Sequence, residues 1–113
     1  GLRSGMTKQA FEQAIADGTV AECIHVLEPK VGDCLFIPSG LIHAIGAGLV
    51  IYEIQQNSDT TYRVFDWNRL GLDGQPRPLH LESSLRSIDF QSQPPVFQKA
   101  DAQGKLIQCE FFS

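Results

Sequence analysis

The sequence predicts a mainly β domain of jelly-roll type, a partial barrel with short flanking helices, on three observations. Short runs of apolar, β-branched and aromatic residues recur along the chain. They are separated by Gly, Pro and Asn turn chemistry. Only two short segments, both peripheral, carry helical spacing, which argues against a parallel α/β sheet. At 113 residues the chain is one domain, or a piece of a larger one.

Thr7 is the expected cap of a first helix, with Phe11, Ala14 and Ile15 on one face and Gly18 closing it. Glu28 to Asp33 reads as a turn-like boundary. Cys34-Leu35-Phe36-Ile37 is then a short buried strand stopped by Pro38-Ser39-Gly40. His43-Ala44-Ile45 begins another strand, broken by Gly46-Ala47-Gly48. Leu49 to Gln55 carries the strongest strand composition of the chain. After the turn Asn57-Ser58-Asp59, residues Thr60 to Phe65 alternate again, and Asp66 to Pro78, rich in Gly and Pro, is loop. Leu81, Leu85 and Ile88 mark a second short helix, Gln91 to Pro95 a polar connector, and Leu106 to Phe112 a final strand.

Composition excludes several classes. A net charge of −4 argues against non-specific binding to nucleic acid or anionic lipid, though an acidic chain can still hold a small basic pocket. The longest apolar stretch, Leu41 to Ile54, is interrupted by His43, two glycines and Glu53, so no segment is expected to span a membrane. Cys23, Cys34 and Cys109 are odd in number, widely spaced and set among apolar residues. They read as reduced core thiols of a cytoplasmic protein.

The segment Gly32 to His43 is the most informative. Pro38 ends a strand and Gly40 permits positive φ, so a sharp corner delivers His43 onto a returning strand. Such a rigid setting suits a metal ligand, although a lone histidine on an apolar background is more often structural. The second segment, Glu53 to Trp67, sets carboxamides and a carboxylate before Arg63 on the next strand. Facing inward, these groups would line a polar pocket for a polyhydroxylated ligand. Facing solvent, Arg63 would simply pair with Asp59 or Asp66.

The spacing from Gly32 through Pro38-x-Gly40 to His43 resembles the second conserved motif of cupins, with Ala47 where that motif ends in asparagine. The fuller pattern is Pro-x-Gly-x-x-His-Ala-Ile-Gly-x-Gly, then Gln-x-Ser-Asp-x-Thr-Tyr-Arg-x-x-Asp-Trp. It is similar to the type I mannose-6-phosphate isomerases of the shorter bacterial kind. Pro78 to Glu82 and Ile88 to Phe90 continue that likeness, which covers nearly the whole chain.

The resemblance implies a zinc-dependent interconversion of mannose 6-phosphate and fructose 6-phosphate through an enediol. It assigns His43 as a zinc ligand and Arg63 as catalytic or substrate-gripping. Asp59, four residues earlier, matches an acidic active-site position. Glu53 and Gln56 stand nearby without an assigned role. The family's other zinc ligands, a Gln-x-His or His-x-His pair and a glutamate, come from an earlier segment, and neither motif occurs in this chain. His25 and His80 are not flanked like those ligands, and catalytic zinc usually takes three protein ligands.

The expectation is therefore a single cupin-type unit over 1–113, the middle-to-C-terminal part of a longer isomerase. About 1–90 would complete the catalytic cupin and about 91–113 begin a further β region. Alone it is expected to be inactive, with exposed strand edges that favour a homo-oligomer. The rival reading is a non-catalytic cupin module that binds sugar or is purely structural.

Overall fold

Thr7 has extended backbone and its hydroxyl accepts from the Ala10 N–H at 3.2 Å, so helix α1, Lys8–Asp17, starts where the cap demands. Gly18, at φ 72°, ends it by returning its N–H to the Ala14 and Ile15 carbonyls. The inward face is Phe11 and Ala14, with Ile15 packed against the same cluster. A single 3₁₀ turn, Val20–Cys23, comes next and buries Val20 and Cys23. The computed structural model describes residues 1–58, 60–67 and 69–99.

The core forms around this helix. Leu2, Phe11, Ala14, Val20, Cys23 and Val64 make one buried cluster, bordered by Phe65, Leu85, Ile88 and Phe90 among others. Phe11 is fully enclosed and meets Phe90 edge to face at 6.0 Å between centroids. Burying a phenylalanine side chain contributes about 1.5–3 kcal/mol, so this contact ties the start of the chain to its later half. The N-terminal residues are stitched on by the antiparallel bridge Leu2↔Ile24 and by the Arg3 N–H donating to the Cys23 carbonyl at 2.8 Å. Cys23 and Cys34 are free thiols, and Cys109 lies outside the described residues.

Among the described residues the named strands are β1, Cys34–Leu35, and β2, Phe97–Gln98, paired antiparallel with Cys34 opposite Gln98 and Leu35 opposite Phe97. The expected strands over 43–45, 49–55 and 60–65 are not formed. A strand exists through its ladder, and these segments have no neighbouring chain to pair with among the described residues. Leu49, Val50, Ile51, Tyr52 and Ile54 are left exposed. The strand expected at Leu106–Phe112 falls outside the described residues. Helix α2, Leu81–Ser87, lies where its spacing places it, although the residue it buries is Ser84. The described residues thus hold few strands and two α-helices, with the sheet limited to one short pair.

Two corners set the course of the chain beyond the first helix. In each, a glycine occupies the third place of a four-residue turn: Gly32 at φ 92° in Lys30–Asp33, and Gly40 at φ 84° in Pro38–Leu41. The Leu41 N–H reaches the Pro38 carbonyl at 3.2 Å, closing the second corner. The Gly40 carbonyl then accepts from the Asp89 N–H at 3.0 Å, which docks this corner just past the end of α2.

Candidate active site around Arg63

The stretch 62–66 runs without a partner strand among the described residues. Val64 is drawn into the core and Asp66 is buried, while Tyr62 faces solvent and Arg63 is half-buried. Arg63 is held through its main chain at two points. Its N–H donates to His80 Nδ1 at 3.2 Å, and its carbonyl accepts the His80 N–H at 2.8 Å. For Nδ1 to accept, the imidazole proton must sit on Nε2. The Arg63 guanidinium donates through Nη1 to the Pro78 carbonyl at 3.3 Å, and its Nε lies 4.0 Å from Asp66.

Asp66 is claimed by a different arginine. Arg77 Nε donates to Asp66 Oδ2 at 2.6 Å and Arg77 Nη2 to Oδ1, a two-pronged guanidinium–carboxylate pair. The intervening loop makes this meeting possible. The Gly71 N–H donates to the Gln75 carbonyl at 2.7 Å, and Leu70 bridges Pro76 antiparallel, so the chain doubles back and returns Arg77 to Asp66. The Arg77 hydrogen bonds hold the Asp66 carboxyl below its ordinary value against the opposing effect of burial. The charges of Arg77, Arg63 and Arg69 add to that. Asp66 in turn raises Arg77. Trp67, with φ 48° outside the usual range for a bulky residue, carries Phe65 edge-on at 5.2 Å and the Arg69 guanidinium 5.8 Å above its ring.

His43 is exposed and comes after the Gly40 corner on irregular backbone rather than on a strand. Its Nδ1 lies 2.9 Å from the Leu41 carbonyl. The tautomer that donates this bond leaves Nε2 free as a lone-pair donor, the arrangement metal-ligating histidines commonly use. The rest of a metal site is not assembled: no group of three His, Cys, Asp or Glu side chains converges among the described residues. These residues do not by themselves fit a zinc centre. No hydrogen bond or ion pair joins His43 to Arg63 among them either. Asp59 lies outside the described residues, and Glu53 and Gln56 are exposed, so these two take the solvent-facing alternative.

From the sequence, Asp66 is a candidate partner for Arg63, whereas the cation it actually holds, Arg77, goes unnoticed. A buried aspartate requires a cation, and that requirement is the available signal. Arg77 is hidden in a stretch whose Gly and Pro content announces only a loop.

Comparison with known proteins finds relatives named as isomerases. No protein-family model matches it, and no solved structure does. Mannose-6-phosphate isomerase ManA of Bacillus subtilis (strain 168) is 38% identical over 113 residues, covering 95% of this chain and 36% of that protein. The probable mannose-6-phosphate isomerase GmuF of the same organism matches to the same extent. A mannose-6-phosphate isomerase of Streptococcus mutans is 44% identical over 79 residues, covering 70% of this chain and 25% of that protein. By sequence, then, the chain is similar to mannose-6-phosphate isomerases over most of its own length, and it spans about a third of the length of the curated Bacillus relatives (36%). Among the described residues no helix is long and apolar enough to cross a membrane.

Proposed function

We propose that this chain is the middle-to-C-terminal part of a cytoplasmic mannose-6-phosphate isomerase, with 1–90 completing a catalytic cupin and 91–113 opening a further β region. The observation that carries the reading is 38% identity to such an isomerase over nearly the whole chain. The chemistry is an aldose–ketose interconversion, in which a proton moves between C2 and C1 through an enediolate. Arg63 is the residue to meet it. A guanidinium offers two parallel donors to an enediolate or a phosphate, a fork that lysine cannot copy. Its main chain is fixed and its side chain is partly open to solvent, which supports that role. Arg69 and Arg77 nearby give an acidic chain a local positive field suited to a phosphorylated sugar. Asp59 is the acidic partner in this scheme.

His43 serves as one zinc ligand through Nε2, with the remaining ligands supplied from elsewhere in the polypeptide. The free thiols Cys23 and Cys34 suit a reducing compartment. The exposed apolar stretch 49–54 supports association of separate copies when the chain is taken alone.

The test is zinc content together with turnover in the full-length polypeptide. His43→Ala should lose zinc, whereas Arg63→Ala should retain it and lose turnover. A wild-type polypeptide that binds sugar phosphate without isomerising it would establish the non-catalytic module instead.

A further inference from the structure

Asp66 sits between two arginines, and the geometry decides which one it holds. Arg77 engages both carboxylate oxygens, whereas Arg63 stays 4.0 Å away and directs Nη1 to the Pro78 carbonyl. A carboxylate this buried recruits the nearest available cation. If Arg77 were absent, that cation would be Arg63, whose guanidinium needs to move only about an ångström to close an ordinary charge-assisted hydrogen bond near 2.8 Å. Closing it would draw the fork off Pro78 and lock it in an internal pair. The residue that satisfies Asp66 therefore also sets where the Arg63 guanidinium stands.

The second constraint comes from the same short segment. Three residues beyond Arg77, His80 holds Arg63 by its N–H and by its carbonyl, and Pro78 between them supplies the side-chain acceptor. One stretch, 77–80, thus fixes the main chain, the guanidinium and the competing carboxylate of the Arg63 neighbourhood. Ordinary structural packing does not require all three from one segment.

We propose that Arg77 is a positioning residue for Arg63. Arg77 occupies Asp66 so that the Arg63 guanidinium remains available to an anionic ligand. The proposal rests on the isomerase reading for what Arg63 then does, and its test separates the two.

The experiment compares steady-state isomerisation of mannose 6-phosphate by the full-length polypeptide and its Arg63→Ala, Arg77→Met and Asp66→Asn/Arg77→Met variants. Circular dichroism melts fix a temperature at which all are folded. Arg77→Met should lower kcat about tenfold and change KM by less than about threefold, because the donor is displaced from the transition state rather than the substrate lost. The double variant removes the carboxylate that captures Arg63, and should return kcat to within about threefold of wild type. Because removing both partners also relieves an unpaired buried carboxylate, recovery of kcat is read together with the position of the Arg63 guanidinium. In nitrogen-15 spectra, the Arg63 Nε–H resonance should shift in Arg77→Met and return in the double variant, a readout that does not depend on turnover. An unchanged kcat and resonance in Arg77→Met, or a double variant no better than the single, overturns the positioning role. An unaffected Arg63→Ala would instead overturn the isomerase role of Arg63 and leave the resonance test standing.

Discussion

Gly32 and Gly40 occupy the same place in two similar turns, at φ 92° and 84°, yet substitution by alanine should affect them differently. An L-residue in this left-handed region costs roughly 1–2 kcal/mol, and both variants incur that. At Gly32 a new Cβ meets nothing within 4 Å. At Gly40 it would stand 3.0 Å from the Ser87 carbonyl oxygen and 3.4 Å from the Asp89 Cβ and backbone nitrogen. The first contact is with backbone at the end of α2, which cannot turn away as a side chain could. Relief requires the corner to back off α2, which breaks the Asp89 N–H to Gly40 carbonyl bond. A hydrogen bond of this kind contributes about 1 kcal/mol net. Gly32→Ala should therefore destabilise by about 1–2 kcal/mol and Gly40→Ala by about 2–3 kcal/mol. Urea unfolding monitored by circular dichroism reads both, with the difference in midpoint converted through a shared m-value. Equal losses, or a larger loss at Gly32, would refute the docking of the Pro38–Leu41 corner on α2.

Acid stability should depend on Asp66. Its folded-state value lies below the ordinary 3.8, so its contribution is fully present above that value and is lost as pH falls through the lower folded value. Asp66→Asn should flatten the stability profile below about pH 4, and an unchanged acid limb would contradict the pairing. Phe11→Ala, at the fully buried centre of the core, should cost about 3–5 kcal/mol by the same urea assay, and a loss under about 1 kcal/mol would show that the α1–Phe90 contact is not formed. The isolated chain should associate through 49–54, and Val50→Glu with Tyr52→Glu should shift light-scattering mass toward the monomer; a concentration-independent monomer without the substitutions would contradict this.

What could be read from the sequence was what the chain determines locally. The cap at Thr7, the face of Phe11 and Ala14, and the stop at Gly18 all lie within one helix, and the structure forms it as written. The Pro38-Ser39-Gly40 corner is equally local, since its closing bond spans three residues. The strand composition of Leu49 to Gln55 is a different kind of signal. β-branched and aromatic residues suit a pleated surface, but a ladder needs a partner, which no propensity supplies. The same limit hid β2, where Phe97 and Gln98 pair with residues more than sixty positions earlier, just after a proline-containing connector. Around the candidate site, the sequence singles out Arg63 because its flanking pattern is distinctive. Its supports were not, because Arg77 and His80 reach it through a loop closure set by Leu70, Gly71, Gln75 and Pro76.

The role proposed for Arg63 in isomerising a phosphorylated sugar is tested most directly by turnover of mannose 6-phosphate to fructose 6-phosphate by the full-length polypeptide, wild type against Arg63→Ala. Removing one well-placed donor to a developing oxyanion typically costs about 100-fold or more in kcat. The expected result is a loss of that order with zinc content unchanged. Equal turnover in the variant would contradict the role given to Arg63.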